Sequence, residues 1–150
     1  MNHNQDVEKV LVCITIQKNS KRLIKKGAEL ANKIGGELHI LHVEKGMSIF
    51  DNEEAITLLQ ELFEYGKLLG GEVHFISGKD VPNRIIEFIK SMTITRLVLG
   101  QTMRSKLHKL LRKDIESNIV SKTKEVELLI LERKDIDKRK FVKDKRIFSS

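Results

Sequence analysis

Tryptophan is absent from this 150-residue sequence, tyrosine and proline occur once each, and aromatic residues make up only 5%. Stacking platforms for bare bases are therefore scarce, which disfavours a protein that reads single-stranded nucleic acid. The single cysteine, Cys13, can form no internal disulfide and no cysteine-based metal site, so disulfide scaffolds and zinc ribbons are excluded. No apolar run approaches the roughly 18 to 20 residues that span a bilayer, and Met1 to Asp6 lack the basic-then-apolar order of a secretory leader. Membrane insertion is not expected, and a cytoplasmic setting is. The sequence also lacks a G-x-S-x-G elbow, a G-x-x-x-x-G-K-S/T loop and a G-x-G-x-x-G turn, which removes the best support for a hydrolase, a P-loop NTPase or a dinucleotide oxidoreductase. No catalytic role is expected.

What is present is an ordinary core composition, 40% hydrophobic and 33% charged, enough for one domain. The net charge is +7, but residues 133–150 hold eight basic and three acidic residues, so the body carries only a small excess. The expected organisation is an α/β domain over residues 1–132 followed by a basic C-terminal tail over 133–150. The tail reads as a solvated terminus or as a docking arm for an acidic partner.

Val10 to Ile14 is a continuous apolar, β-branched run, the pattern of a strand covered on both faces. From Ser20 the period changes: Leu23, Ile24, Gly27, Ala28, Ala31 and Ile34 recur at helical spacing until Gly35-Gly36. A strand over Leu38–Val43, a helix from about Asn52 to Gly70-Gly71, and an edge-like strand over Val73–Ile76 follow. Asp80 is placed to cap a helix with Pro82 in its first turn and Ile85, Ile86, Phe88, Ile89 and Met92 inward. Leu97–Gly100 is a fourth strand, Ser105 to about Ser121 a fourth helix, and Val126–Leu131 a fifth strand. This βαβαβαβαβ alternation predicts an open parallel sheet with helices on both faces and a ligand crevice beyond the carboxyl ends of its strands.

Candidate site residues therefore stand just after strands. Five Lys or Arg and no acid lie between Gly100 and Lys113, where a glycine passes into a helix N-terminus, a place that suits anions. Arg104 and Ser105 sit at the crevice, whereas Lys109, Arg112 and Lys113 read equally well as a solvated helix face. The histidines give little support for a metal: His39 and His42 are three apart on one strand, hence on opposite faces, and His74 stands on another strand with no acidic or cysteine partner at ligand spacing. No metal is expected. Cys13, inside the first strand, reads as a small buried hydrophobe.

The chain resembles a universal stress protein, and within that superfamily the stress-protein module of potassium-sensor kinases of the KdpD type. The resemblance rests on Val10-Leu11-Val12-Cys13-Ile14-Thr15, Asn19 to Ile24, Ala28-Glu29-Leu30-Ala31, Leu41-His42-Val43-Glu44, Leu97-Val98-Leu99-Gly100, Arg104-Ser105 and Leu110-Leu111-Arg112, over roughly residues 8–132. It implies a five-stranded parallel sheet of order 3-2-1-4-5, an adenine nucleotide as ligand and a homodimer paired through the last strand, Val126–Leu131. Nucleotide-binding members carry Asp at the end of the first strand and G-x-x-G-x9-G-S/T after the fourth. Here Thr15, Met103, Lys113 and Asp114 stand at the Asp, second Gly, third Gly and Ser/Thr positions, and only Gly100 fits. In modules similar to receptors for cyclic di-AMP, the motif S-x-S-x20-F-T-A-x-Y aligns with Thr15-Ile16-Gln17 and Leu38 to His42 by position. The expectation is a nucleotide-responsive stress or signalling domain that binds ATP, AMP or cyclic di-AMP weakly in a degenerate site formed by Thr15, Gln17, His42, Gly100, Gln101, Arg104, Ser105 and Lys113. The alternative is a protein-interaction module without a ligand, acting on a signalling or transport partner. Direct nucleic-acid binding ranks third.

Overall fold

Val10, Leu11 and Val12 have no exposed surface, and the reason is their position in the middle of a sheet. The structure, a computed structural model, describes residues 7–101 and 103–107, and the backbone of the strand segments 127–131 and 142–143. Its elements are β1 (Lys9–Cys13), α1 (Ser20–Ile34), β2 (Glu37–Glu44), a 3-10 turn (Ser48–Asp51), α2 (Glu53–Leu68), β3 (Glu72–Ser77), α3 (Val81–Met92), β4 (Arg96–Gly100), β5 (Glu127–Leu131) and β6 (Val142–Lys143). The sheet order is β3-β2-β1-β4-β5-β6. The pairs from β3 through β5 are all parallel, so the expected order 3-2-1-4-5 is present.

Alternation along β1 divides the core. Val10, Val12 and Ile14 pack with Leu23, Ile24 and Ala31 of α1 and Leu59 and Leu62 of α2. Leu11 and Cys13 face the other way, with Leu41, Val43, Leu97 and Leu99, onto Ile85, Ile86, Phe88 and Ile89 of α3. Gly27 lets α1 lie close on this surface, since a Cβ there would collide with Val12 Cγ2. The caps follow the sequence reading: Gly35 ends α1 at φ 66°, and the Asp80 carboxylate accepts the Asn83 N–H at 3.3 Å. α3 ends on Thr93 at φ 56°, a left-handed conformation that β-branched residues rarely adopt.

Two features were not expected. The segment after β2 winds into the 3-10 turn, which buries Ile49. At the far edge, β6 comes from the segment read as a tail and pairs antiparallel with β5, Leu129 opposite Lys143 and Ile130 opposite Val142. An uncovered strand offers a row of free N–H and C=O groups, and Val142 supplies an apolar residue with high strand preference to pair with it. The edge assigned to homodimerisation is thus partly occupied by the chain itself. The fourth helix is described at residues 103–107, and its expected continuation to Ser121 lies outside the described residues, as do Val126 and most of 133–150. No helix of the described residues is long and apolar enough to cross a membrane.

Candidate functional site

The expected crevice lies where β1 leaves the sheet. Ile14 N–H still bonds to Leu41 C=O at 2.9 Å, and the chain then turns sharply, Gln17 N–H to Thr15 C=O at 2.9 Å and Ser20 N–H to Gln17 C=O at 3.0 Å. Ser20, buried at the first position of α1, fastens this turn: its hydroxyl donates to Thr15 C=O at 2.6 Å and accepts Thr15 N–H at 3.3 Å. The backbone of Thr15 is therefore fully engaged while the side chains of Thr15 and Gln17 stay exposed. The sequence reading missed Ser20, although a serine opening a helix five residues after a strand-end threonine was a usable hint.

The second wall comes from β4. Gly100 is half-buried, and a Cβ built there would approach nothing nearer than Leu23 Cδ1 at 4.0 Å. Crowding does not demand glycine here, so what its lack of a side chain provides is open space at the strand end. The helical segment 103–107 starts directly after it and is anchored by buried Leu107. Arg104 is half-buried, while Gln101, Ser105 and Lys106 are exposed, and the Ser105 hydroxyl donates to Gln101 C=O at 3.3 Å. Parallel pairing of β1 with β4, Val12 opposite Val98, brings the Thr15 loop and the Gly100 to Ser105 segment to the same end of the sheet.

His42 takes a different position from an exposed stacking ring. It is 5% exposed, its Nδ1 lies 3.1 Å from Ile14 C=O and its Nε2 lies 2.7 Å from Glu44 Oε1, so both ring nitrogens face acceptors of the protein. One flank rests against Phe75, with ring centroids 5.8 Å apart. It ties the ends of β1 and β2 together. Lys113 lies outside the described residues. Cys13 is buried, and burial pushes its thiol far above the ordinary range, which leaves it without thiolate character.

One premise of the sequence reading is corrected. His74 does have acidic and imidazole partners: Glu72 precedes it by two residues on the same strand face, and His39 reaches it from β2. Desolvation lowers the basicity of His74, and His39 adds to that effect while Glu72 opposes it.

The architecture has solved counterparts. A universal stress protein in complex with cAMP superposes with a TM-score of 0.55 at 19% identity over 83% of this chain and 95% of that one. A universal stress protein from Burkholderia pseudomallei gives 0.60 at 16% identity over 83% and 95%. The chain has the universal stress protein fold. Another with this fold, from Archaeoglobus fulgidus in complex with dAMP, matches at 0.52 and 17% identity over 67% and 88% of the two chains. In sequence, this universal stress protein-like chain is similar to Sensor protein KdpD of Mycobacterium tuberculosis, 28% identical over 116 residues and 77% of the chain. It is also 28% identical to Putative sensor protein KdpD of Synechocystis over 135 residues, 87% of the chain. The chain spans only 13% of the first of these relatives and 35% of the second. No protein-family model matches it.

Proposed function

We propose that the chain is a non-enzymatic, nucleotide-responsive signalling domain that binds an adenine nucleotide weakly at the β1–β4 end of its sheet. The observation that carries this reading is the convergence of the Thr15 loop with the open Gly100 to Ser105 segment, which bears Arg104, at the topological switch point. Universal stress proteins solved with cAMP and with dAMP share this fold, which supports an adenine nucleotide as the ligand class. In this reading Thr15 and Gln17 meet the ribose and base, Gly100 leaves room for the phosphates, and Arg104 and Ser105 hold them with Gln101 and Lys113. His42 shapes the floor rather than stacking. Binding is weak because Thr15 offers ribose one hydroxyl where a carboxylate would accept two bonds, and because Asp114 stands in the sequence where nucleotide-binding members carry Ser or Thr.

The second reading, a protein-interaction module related to the KdpD sensor domain and lacking a ligand, is favoured by the same replaced positions. Calorimetry and thermal shift with ATP, AMP and cyclic di-AMP discriminate the two. Saturable binding of at least one supports the first, and no response at millimolar nucleotide overturns it in favour of the second. The reading further places the domain in the cytoplasm, as a homodimer in contact with a signalling or transport protein.

A further inference from the structure

At the opposite end of the sheet from the nucleotide crevice, β2 and β3 run in parallel with His39 beside Glu72 and Leu41 beside His74. His39 and His74 lie on the α3 face, since they share strand parity with Leu41 and Ile76, which pack on that side. Three of their ligand atoms converge. His39 Nδ1 lies 3.0 Å from His74 Nε2, His74 Nε2 lies 3.2 Å from Glu72 Oε2, and that oxygen lies 3.8 Å from His39 Nδ1. We propose that these three residues form a binding site for one divalent transition-metal cation, zinc foremost.

The dimensions fit that ion. A tetrahedral zinc with bonds of about 2.0 to 2.1 Å to nitrogen and oxygen separates its ligand atoms by about 3.3 to 3.4 Å. The triangle found here brackets this value on its three edges, so small side-chain rotations suffice. Two imidazoles with one carboxylate select against magnesium and calcium, which take oxygen sets, and leave the fourth position to water.

The surroundings act on the same atoms. Glu37 Oε1 lies 2.9 Å from His39 Nε2, which must donate to it, and this leaves Nδ1 of His39 with its lone pair toward the site. A carboxylate behind a metal-binding imidazole is the usual arrangement for fixing tautomer and raising ligand basicity. His74 is held by Phe88, whose ring meets it edge-on at 4.8 Å. Without a metal, His74 Nε2–H fills the gap by donating to His39 Nδ1. On binding, that proton leaves Nε2, with Nδ1 of His74 free to carry it. Access is from solvent at the β3 edge, where the Glu72 side chain is exposed and His74 is only partly buried. The five residues that form and support the site, Glu37, His39, Glu72, His74 and Phe88, come from two strands and one helix, which a surface accident of neighbouring acids would not require.

The test uses the full chain, zinc chloride alone, and competition with a chromophoric zinc indicator. The expected result is one zinc per chain with micromolar or tighter affinity, and an X-ray absorption spectrum showing two imidazole ligands. Glu72 is exposed, so Glu72→Gln keeps the fold and should weaken binding at least tenfold, as should His74→Gln. Glu37→Gln, which leaves all three ligands in place, should weaken it roughly tenfold through positioning. A His3→Ala, His108→Ala double variant should bind as the parent does. No binding by the folded chain at tens of micromolar zinc overturns the proposal. So does affinity that survives His74→Gln in a chain with unchanged circular dichroism, or affinity that disappears with His3 and His108. None of these outcomes depends on whether a nucleotide binds.

Discussion

Ser20 illustrates how much of the site is decided by single residues with no chemistry of their own. Its hydroxyl satisfies both backbone groups of Thr15 from a buried position. Ser20→Ala would leave the Thr15 N–H without its acceptor, while the C=O keeps the Gln17 N–H, and a loss of about 0.5 to 1.5 kcal/mol is expected for the lost hydrogen bonds, measured by urea unfolding. The same variant should loosen the Thr15 to Gln17 turn. Thr93 carries the opposite defect. At φ 56° its branched side chain crowds the backbone, so Thr93→Asn should raise stability by about 0.5 to 1 kcal/mol in the same assay. Neither effect could be read from the sequence, because a left-handed cap at threonine and a clamp between neighbouring turns show only in backbone geometry. Asp80 and Gly35 could be read, since those residue types at helix ends have few other uses.

Among the elements, the helical segment after β4 carries the ligand hypothesis. A charge-assisted bond to phosphate contributes on the order of 1.5 to 3 kcal/mol, so Arg104→Ala should weaken nucleotide binding about tenfold or more, whereas Lys138→Ala should leave it unchanged by calorimetry. Strands and helices were legible to within a residue or two because β1 through α3 each obey one period: Leu23, Ile24, Gly27 and Ala31 are buried on one face of α1, as their spacing requires. The pairing of His39 with His74 was not legible. Thirty-five positions separate them, and a parallel register over a crossover helix is set by packing of Leu38, Ile40 and Val73 rather than by any local motif. His42 was placed correctly in sequence but not in depth, since a histidine in an apolar strand gives no hint that Ile14 C=O and Glu44 will claim both its nitrogens.

For the molecule as a whole, the two ends of the sheet differ in how they are closed. β5 is partly covered by β6, so a dimer built on β5 must compete with the chain's own C-terminal segment. A chain ending at residue 132 should therefore associate more readily than the intact chain, seen by light scattering as a larger dimer fraction at tens of micromolar; equal fractions would place the dimer contact elsewhere. At the other end β3 closes the sheet order, bonded to β2, and its side chains are exposed or half-buried throughout. Opening free energies follow such differences, from near zero at a peripheral strand up to the global value in the centre. Amide hydrogens of β3 should thus exchange with solvent orders of magnitude faster than those of β1, through motions that peel one strand away while the rest of the sheet stays shut. Whatever holds β3 to β2 sets the rate at which this half of the molecule breathes, and the strand bearing His74 and Glu72 is the one whose residence on the sheet a ligand could lengthen.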